Sequence, residues 1–376
     1  MRFPEFSGEW KKCKLGDLCN VLMCKRILVS QTNTEDGVPF YKIGTIGSTP
    51  DAYISKELFD DYKVKYNYPR KGEVMITCAG TVGKCVVYDG EDAYFQDSNI
   101  VWIDNPTQYI SNGFLFHLLS KVDWRKLNST TIIRIYNDDL RNLKMSYPRK
   151  EEQQKISHLL SLLDERIATQ NKIIEDLKKL KSAIIEIEYS PKDSYHSHIG
   201  GAIVQISKRN KDNHLCNVLS VSNRQGFIKQ SEQFEDRNVA SDDTSNYKIV
   251  EKNDFAYNPA RINVGSIARL TKFETGIVSP MYICFRTKDC LLPEYLELFF
   301  ESRNFFYHIQ KRLEGSVRLC LSYEELCNIP IVIPSIEKQK QVDLHLSKLA
   351  QKIDLEMKIL QFVQQQKTYL LHQMFI

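Results

Sequence analysis

The sequence lacks the features that identify membrane, secreted or low-complexity proteins. It has no run of the roughly 18–20 uncharged apolar residues that a membrane-spanning helix needs. Only 16 Gly and 12 Pro occur among 376 residues, which excludes collagen-like and linker-like chains. The first ten residues contain no apolar segment typical of a secretory signal. We therefore expect a globular, cytoplasmic protein that has no membrane segment.

The cysteines lack the spacing of a metal site. Ten are present, but no two form a CxxC pair, and several lie in apolar runs such as Ile76-Thr-Cys78 and Tyr282-Ile-Cys-Phe285. In a chain without a signal peptide, this pattern favours reduced structural thiols over a disulfide or zinc framework. The sequence therefore predicts no metal site.

Motifs of enzymes are also missing. The stretch Gly80-Thr-Val-Gly83-Lys84-Cys85 resembles a phosphate-binding loop, but neither its spacing nor the residue after Lys84 fits one. Asn258-Pro-Ala-Arg261 resembles the signature of amino-group methyltransferases, but it lacks the second proline and the aromatic residue that would stack on the target base. No glycine-rich cofactor loop follows an upstream strand. We therefore predict no catalytic residue.

The chain does contain an internal repeat. At one constant offset along the chain, Leu140 matches Leu326, Asn142 matches Asn328, Pro148 matches Pro334, Glu151 matches Glu337 and Gln153 matches Gln339. Repeats of this kind indicate that a structural unit has been duplicated.

A long heptad pattern follows each copy of the repeat. Apolar residues recur at steps of three and four, without Gly or Pro, which predicts two helices of about 55 Å each. Either each helix packs on its own globular domain, or the helices pair, within one chain or between subunits. The narrow apolar stripe favours pairing in a coiled coil. The predicted seam consists of Ile156, Leu160, Leu163, Ile167, Ile174, Leu177 and Ile184, and of Val342, Leu346, Leu349, Ile353, Leu360, Val363 and Leu370.

The segments before the two helices share one pattern of short strands, turns and a late helix. Glu73–Thr77 and Cys85–Tyr88 flank a glycine-closed turn in the first, and Asp254–Tyr257 and Ser266–Leu270 flank another in the second. We predict an α+β protein with two duplicated domains and two long helices. The predicted boundaries are 1–150 for the first domain, 151–190 for the central helix, 191–336 for the second domain and 337–376 for the C-terminal helix.

Positive charge is concentrated locally although the net charge is only +4. Residues 121–150 hold eight Lys/Arg against three acids, residues 208–229 five against one, and residues 303–318 four against one. Asparagine and tyrosine residues lie among them. Lys and Arg suit phosphates, while Arg and Asn suit base edges, so these clusters are compatible with DNA binding without demanding it.

Several of these motifs resemble the specificity (S) subunit of type I restriction–modification systems. Such subunits show a proline, a Glu-Gln pair and then a long helix, as in Pro148-Arg-Lys-Glu-Glu152-Gln153, although Lys338 replaces the glutamate in the second copy. Lys71-Gly-Glu73 and Gly80-Thr-x-Gly83 resemble first recognition domains. Stretches that resemble second domains are Asn217–Ser222 with Gly226-Phe-Ile, Tyr247-x-x-Val250, Asn253-Asp254, Tyr257-Asn-x-x-Arg261-x-x-x-Gly265, and Gly276-x-Val-Ser-Pro-x-Tyr282.

The resemblance implies a non-catalytic DNA-recognition subunit. Two target-recognition domains would each read half of a bipartite sequence in double-stranded DNA, and an antiparallel coiled coil would fix the gap between the halves. The subunit would recruit two methyltransferase (modification) subunits and, through them, the restriction (translocase/endonuclease) subunits. S-adenosylmethionine, ATP and Mg would be bound by those partners, and this chain itself would bind no cofactor.

We predict the DNA-contacting residues from residue type and from position near turns. In the first domain they are Thr81, Lys84 and Arg134. In the second they are Asn223, Arg224, Asn258, Arg261, Asn263 and Arg318.

Two alternative functions remain open. The first is a DNA-independent adaptor, in which two interaction domains are spaced by a coiled coil. The second is a self-sufficient methyltransferase, which would bind its cofactor as an isolated chain. Salt-dependent binding to duplex DNA separates the specificity subunit from the adaptor, because only phosphate contacts release counterions.

Overall fold

The structure is a computed structural model that describes residues 2–127, 134–190, 197–233, 243–313 and 319–375. The chain divides into two compact units. Unit 1 comprises Met1–Asn171 with Lys358–Ile376, and unit 2 comprises Lys172–Met357. The division falls inside both long helices, so each unit contains part of each helix.

In its described residues, unit 1 contains three sheets and four short α-helices. Its strands are β1 (Lys11–Lys14), β2 (Asn20–Leu22), β3 (Val38–Tyr41), β4 (Tyr53–Ile54), β5 (Val74–Thr77), β6 (Cys85–Val87), β7 (Tyr94–Phe95), β8 (Ile100–Asp104) and β9 (Lys144–Tyr147). Its short helices are α1 (Lys56–Lys65), α2 (Asn112–Lys121), α3 (Trp124–Leu127) and α4 (Asn137–Arg141). The first long helix, α5 (Lys150–Glu188), begins directly after β9.

The part of unit 2 that the structure describes contains two four-stranded sheets. Its strands are β10 (Ile203–Ile206), β11 (Val218–Ser222), β12 (Gly226–Lys229), β13 (Lys248–Glu251), β14 (Phe255–Tyr257), β15 (Ile267–Arg269), β16 (Thr275–Val278) and β17 (Ile283–Thr287). Its helices are α6 (Ile199–Ala202), α7 (Gln230–Gln233), α8 (Pro293–Phe300), α9 (Arg303–Arg312) and α10 (Tyr323–Cys327), and the second long helix is α11 (Ile336–Met374).

The main sheets of the two units have the same topology. The strand order is β2-β8-β5-β6 in unit 1 and β10-β17-β14-β15 in unit 2, and all neighbours are antiparallel. The second sheets also correspond, because β3 pairs with β4 antiparallel and with β7 parallel, as β11 does with β12 and β16. Unit 2 adds β13 to that sheet. The predicted α+β fold with duplicated domains is confirmed.

The long helices pack in antiparallel fashion within each unit. In unit 1, Ile156 and Leu160 near the start of α5 share a core with Met374 at the end of α11, and Lys367 forms an ion pair with Asp164. In unit 2, Ile185 near the end of α5 shares a core with Val342 and Leu346 near the start of α11. Each of the fourteen predicted seam residues is buried or half-buried. The helix ends also contribute to the domain cores, so packing on the domains and pairing of the helices occur together.

Two further features of the structure are the state of the cysteine thiols and the polarity of the helices. All ten cysteines are free thiols. Burial raises the pKa of Cys19, Cys24 and Cys284 to about 12, so these three side chains stay protonated. Within the described ranges, no helix is both long and apolar enough to cross a membrane.

Candidate nucleic-acid interface

Several loops of unit 1 meet at one end of its main sheet. Leu22 lies opposite Trp102 and Thr77 lies opposite Ile100, so β2 and β5 end where β6 and β8 begin. The backbone N–H of Ile135 donates to Cys78 O at 2.9 Å, which brings residues 134–136 to the same place. We call the segments 23–31, 42–48, 78–84, 96–99 and 134–136 the first loop edge.

Thr81 and Lys84 lie together on this edge, in the turn between β5 and β6. The Thr81 hydroxyl donates to Ile43 O at 3.0 Å, and the Lys84 ammonium donates to Ile46 O at 2.5 Å. Both side chains are exposed. They therefore hold the turn against the loop after β3. Because an ammonium has three donors, Lys84 retains donors for an external acceptor.

Arg134 belongs to the same edge. Its guanidinium donates to Ser98 O at 3.3 Å and lies 5.9 Å from the centre of the Tyr136 ring. Burial raises the pKa of the adjacent Cys78 thiol to about 12, although the Arg134 charge opposes this rise. Lys84 and Arg134 therefore both contribute positive charge to this edge, while Cys78 remains a neutral thiol.

The position of the turn depends on Gly83, which has a φ of +82°. A Cβ atom at this position would lie 2.2 Å from Cδ1 of Trp124. Glycine supplies both the left-handed backbone and the close approach to the indole ring. The glycine-closed turn predicted from the sequence is therefore anchored on α3, which carries two exposed basic residues, Arg125 and Lys126.

Unit 2 has a corresponding second loop edge. Ile206 lies opposite Cys284 and Tyr257 lies opposite Ile283, so β10 and β14 end where β15 and β17 begin. The Ser266 hydroxyl donates to Val221 O at 3.1 Å, which ties the β14–β15 connection to β11. We define the second loop edge as the segments 207–217, 223–225, 258–266 and 279–282.

Asn258, Arg261 and Asn263 lie in the connection between β14 and β15. Arg261 and Asn263 are exposed, whereas Asn258 is only 8% exposed and its Oδ1 accepts the backbone N–H of Ala260 at 3.1 Å. Gly265 closes the segment with a φ of +88°. The Asn258 side chain therefore holds the shape of the turn, while Arg261 and Asn263 project from it.

Asn223 and Arg224 occupy the turn between β11 and β12, and both are exposed. Together with Ile262 and Gly265 they line a groove of about 430 Å³, so the structure brings them to the segment that carries Arg261.

The DNA-contact assignments remain predictions, and the structure places them in two groups. The first group, in unit 1, consists of Thr81, Lys84 and Arg134. The second group, in unit 2, consists of Asn223, Arg224, Asn258, Arg261 and Asn263. The predicted contact Arg318 lies outside the described residues.

The sequence-based prediction missed one pair of basic residues in each unit. Lys25 and Arg26 follow β2, and Lys208 and Arg209 follow β10, and all four are exposed on the loop edges. The signal was present in the sequence as a Lys-Arg dipeptide that recurs after the first strand of each main sheet. The number of residues that separates the two dipeptides is slightly smaller than the offset of the repeat, because the domains differ in loop length.

The boundary motif has a structural role that is the same in both units. Gln153 accepts the Ser111 backbone N–H at 2.7 Å and donates to Tyr109 O and Pro148 O at 3.0 and 2.9 Å. Gln339 accepts the Leu292 N–H at 2.8 Å and donates to Cys290 O and Pro334 O, both at 2.9 Å. Both side chains are fully buried. Each glutamine therefore joins the start of a long helix to the start of a domain helix, α2 or α8.

The loop edges present basic groups, amides and hydroxyls. Among the described residues, no group of three or more His, Cys, Asp or Glu side chains is arranged to hold a metal ion. Arginine, lysine and asparagine side chains at exposed turns can donate to phosphates and to base edges. Binding of a polar, anionic polymer is the chemistry that these edges offer.

Comparisons with known proteins agree with this geometry. Residues 7–179 match the family model described as the type I restriction modification DNA specificity domain. The chain is 49% identical over 167 residues to a putative type I restriction enzyme specificity subunit of Haemophilus influenzae, which is 44% of this chain and 43% of that protein. It is 24% identical over 196 residues to the putative MjaX specificity subunit of Methanocaldococcus jannaschii, which is 48% of this chain and 46% of that protein. Each similarity thus spans less than half of the relative's own length.

Solved structures extend the likeness of the fold to the whole chain. The S subunit of a type I restriction–modification system from M. genitalium has a TM-score of 0.60 at 16% identity, covering 100% of this chain and 99% of that one. A chain from a type I restriction–modification system studied for its assembly and conformational transition has a TM-score of 0.55 at 14% identity, covering 98% of both chains. Residues 7–179 thus match the DNA specificity domain of the type I restriction–modification family, and the predicted resemblance of the chain to the specificity subunits of that family is confirmed.

Proposed function

We propose that this chain is the sequence-specific DNA-recognition subunit of a type I restriction–modification complex, acting in the cytoplasm. Each loop edge would read one half of a bipartite target, and the paired long helices would set the gap between the halves. The observation that carries the proposal is the duplication of one topology with a basic loop edge at the same end of the main sheet in each unit. Two similar readers on one chain suit a target with two half-sites.

The proposed role is non-catalytic. We infer that S-adenosylmethionine, ATP and Mg are bound by two methyltransferase subunits and by restriction subunits, which this chain recruits. Exposed apolar residues support such recruitment, because Ile173, Leu180 and Ile187 recur at heptad spacing on α5 with exposures of 39%, 50% and 73%. A helix that exposes an apolar stripe beside its own seam offers a surface for a further helix.

The decisive experiment combines the chain with its methyltransferase partners. The chain is co-expressed with candidate methyltransferase subunits in a host without DNA methylation, and methyladenine is mapped across the genome. A bipartite motif with a fixed gap is the expected result. If no partner gives methylation and the purified chain shows no salt-dependent binding to duplex DNA, the chain is an adaptor instead. Binding of S-adenosylmethionine to the isolated chain would contradict the non-catalytic role.

A further inference from the structure

A lysine-rich face covers the small β1–β9 sheet of unit 1. Cys13 lies opposite Met145, and both pack against the core of unit 1. Because side chains alternate between the two faces of a strand, Lys12, Lys14 and Lys144 share the outer face. All three are exposed, and together with Ser146 and Asp17 they line a groove of about 570 Å³. We call Lys12, Lys14 and Lys144 the lysine face.

The charge of this face is not balanced by ion pairs. Lys14 lies directly opposite Lys144 in the antiparallel pair, an arrangement in which like charges destabilise a sheet. The Lys14 ammonium donates to Asn142 Oδ1 at 3.0 Å, and within the described ranges none of the three lysines forms an ion pair with a carboxylate. Asp17 uses Oδ2 to accept the Lys14 backbone N–H at 2.7 Å. The face is therefore predominantly cationic.

Unit 2 shows that the fold does not require lysine at the positions of Lys14 and Lys144. Leu15 N–H donates to Leu143 O at 2.9 Å in unit 1, and Ile199 N–H donates to Ile329 O at 2.9 Å in unit 2. These equivalent bonds fix the correspondence of the strands, so the pair Lys14–Lys144 corresponds to the bridge between His198 and Pro330. Because one copy has a proline where the other has a cross-strand lysine, charge at this pair is not a requirement of the fold.

We propose that the lysine face binds the phosphate backbone of double-stranded DNA, independently of base sequence and through unit 1 alone. This inference rests on the proposed function. Lysine is a common phosphate ligand in protein–DNA complexes, whereas it is depleted from protein–protein interfaces. The Ser146 side chain in the groove adds a hydroxyl donor that suits a phosphate oxygen.

The position of the face separates it from base reading. Lys14 precedes the start of β2, whereas the first loop edge follows the end of β2. The face therefore contacts backbone away from the bases that the loop edge reads. Its loss weakens binding to every sequence by a similar factor and leaves the recognised sequence unchanged.

The test uses the full chain assembled with its methyltransferase subunits. A triple variant, Lys12→Gln, Lys14→Gln and Lys144→Gln, is compared with the native chain for binding to duplexes with and without the target sequence at several salt concentrations. Each phosphate contact contributes roughly 0.9 to the slope of log affinity against log salt, so the slope should fall by about 2.7 on both duplexes. The methylated sequence should stay the same.

A matched control removes the same charge elsewhere in unit 1. Lys56→Gln, Lys63→Gln and Lys65→Gln act on α1, where these lysines already form ion pairs with Asp60, Asp92 and Asp61. This control should change the salt slope much less than the triple variant. The single variant Lys144→Gln should keep or raise the urea midpoint of unfolding, because it removes a like-charge pair.

Three results would overturn the inference. If the lysine-face variant and the α1 control have the same salt slope, the face does not contact phosphate. If the variant binds DNA normally but loses its methyltransferase subunits, the face binds an acidic protein surface instead. If the native complex binds no DNA at all, the proposed function itself has failed, and the inference fails with it.

Discussion

Arg2 and Glu152 form a two-point ion pair in which Nε and Nη2 of the guanidinium each lie 2.7 Å from a different oxygen of the carboxylate. The Glu152 side chain is only 1% exposed. In unit 2 the corresponding pair has the opposite polarity, because the Lys338 ammonium lies 3.5 Å from a Glu188 oxygen. Lys338 is the counterpart of Glu152 in the repeat, and Glu188 is the counterpart of Arg2 at the same offset. The replacement of a glutamate by Lys338 in the second copy is thus matched by a reversed partner.

This reversal predicts the outcome of a charge swap in unit 1. Glu152→Lys places an ammonium beside Arg2 and should lower the urea midpoint of unit 1. Adding Arg2→Glu restores the attraction in the polarity of unit 2 and should recover much of the loss. Tryptophan fluorescence reports on unit 1 alone, because Trp10, Trp102 and Trp124 all lie there. A double variant as unstable as Glu152→Lys alone would contradict the pairing.

The buried glutamines give a second prediction. Gln153→Ala removes three hydrogen bonds to backbone groups and leaves those groups unsatisfied, which should lower the free energy of unfolding by about 3 kcal/mol. Gln339→Ala should have a similar effect in unit 2, where circular dichroism can detect it. Gln154→Ala and Gln341→Ala are matched controls, since both side chains are exposed, and they should change stability little. Equal effects at Gln153 and Gln154 would show that the hydrogen bonds contribute nothing measurable.

The repeat and the long helices could be predicted because their signals are local. The heptad pattern predicts helices over 151–190 and 337–376, and the structure has them at Lys150–Glu188 and Ile336–Met374. The strand-like runs around residues 73–88 and 254–270 likewise correspond to β5, β6, β14 and β15. Helix periodicity and hairpins depend on neighbours in sequence, so one chain suffices to reveal them.

The details of the candidate interface depend on contacts that sequence does not display. Thr81 donates to Ile43, which lies in a different loop, and nothing in either segment predicts that contact. Asn258 is a residue type that often contacts DNA, yet its side chain is buried and accepts a hydrogen bond from Ala260 within its own turn. Lys14 and Lys144 lie near opposite ends of the first domain's sequence and become a surface only when β1 pairs with β9. Long-range pairing therefore decides which polar residues are available to a ligand.

His117 gives a prediction about pH. It is buried in α2, with Nε2 3.4 Å from Ser161 Oγ and Nδ1 4.0 Å from Asp164 Oδ2. Burial lowers the pKa of His117 from 6.5 to about 4; the Lys367 charge adds to this effect and the Asp164 carboxylate opposes it. Between these two pKa values the unfolded chain binds a proton that the folded chain does not. Stability should therefore fall as the pH drops from 6.5 towards 4.

A variant isolates this contribution from the other titrating groups. His117→Gln cannot bind the proton, so its stability does not depend on this titration. When the pH falls from about 7.5 to about 5, the native chain should therefore lose about 2 kcal/mol of unfolding free energy relative to the variant. Urea denaturation of unit 1, followed by tryptophan fluorescence at both values of pH, measures the shift. A difference that stays constant with pH would mean that His117 titrates alike in the folded and unfolded states.

Arg261 tests the assignment of the second loop edge. Its side chain is exposed, and the turn that carries it is held by Asn258 and Gly265, so Arg261→Ala should remove a contact to DNA without disturbing the fold. If Arg261 contacts a base, the substitution should cost about 1–3 kcal/mol of binding and relax the sequence required at the second half-site only.

Lys84→Ala should affect the first half-site only. Lys252→Ala is a control, because Lys252 precedes β14, at the other end of the strand. Genome-wide mapping of methyladenine distinguishes the two halves. A methylated motif that Arg261→Ala leaves unchanged in sequence and extent would remove Arg261 from the interface.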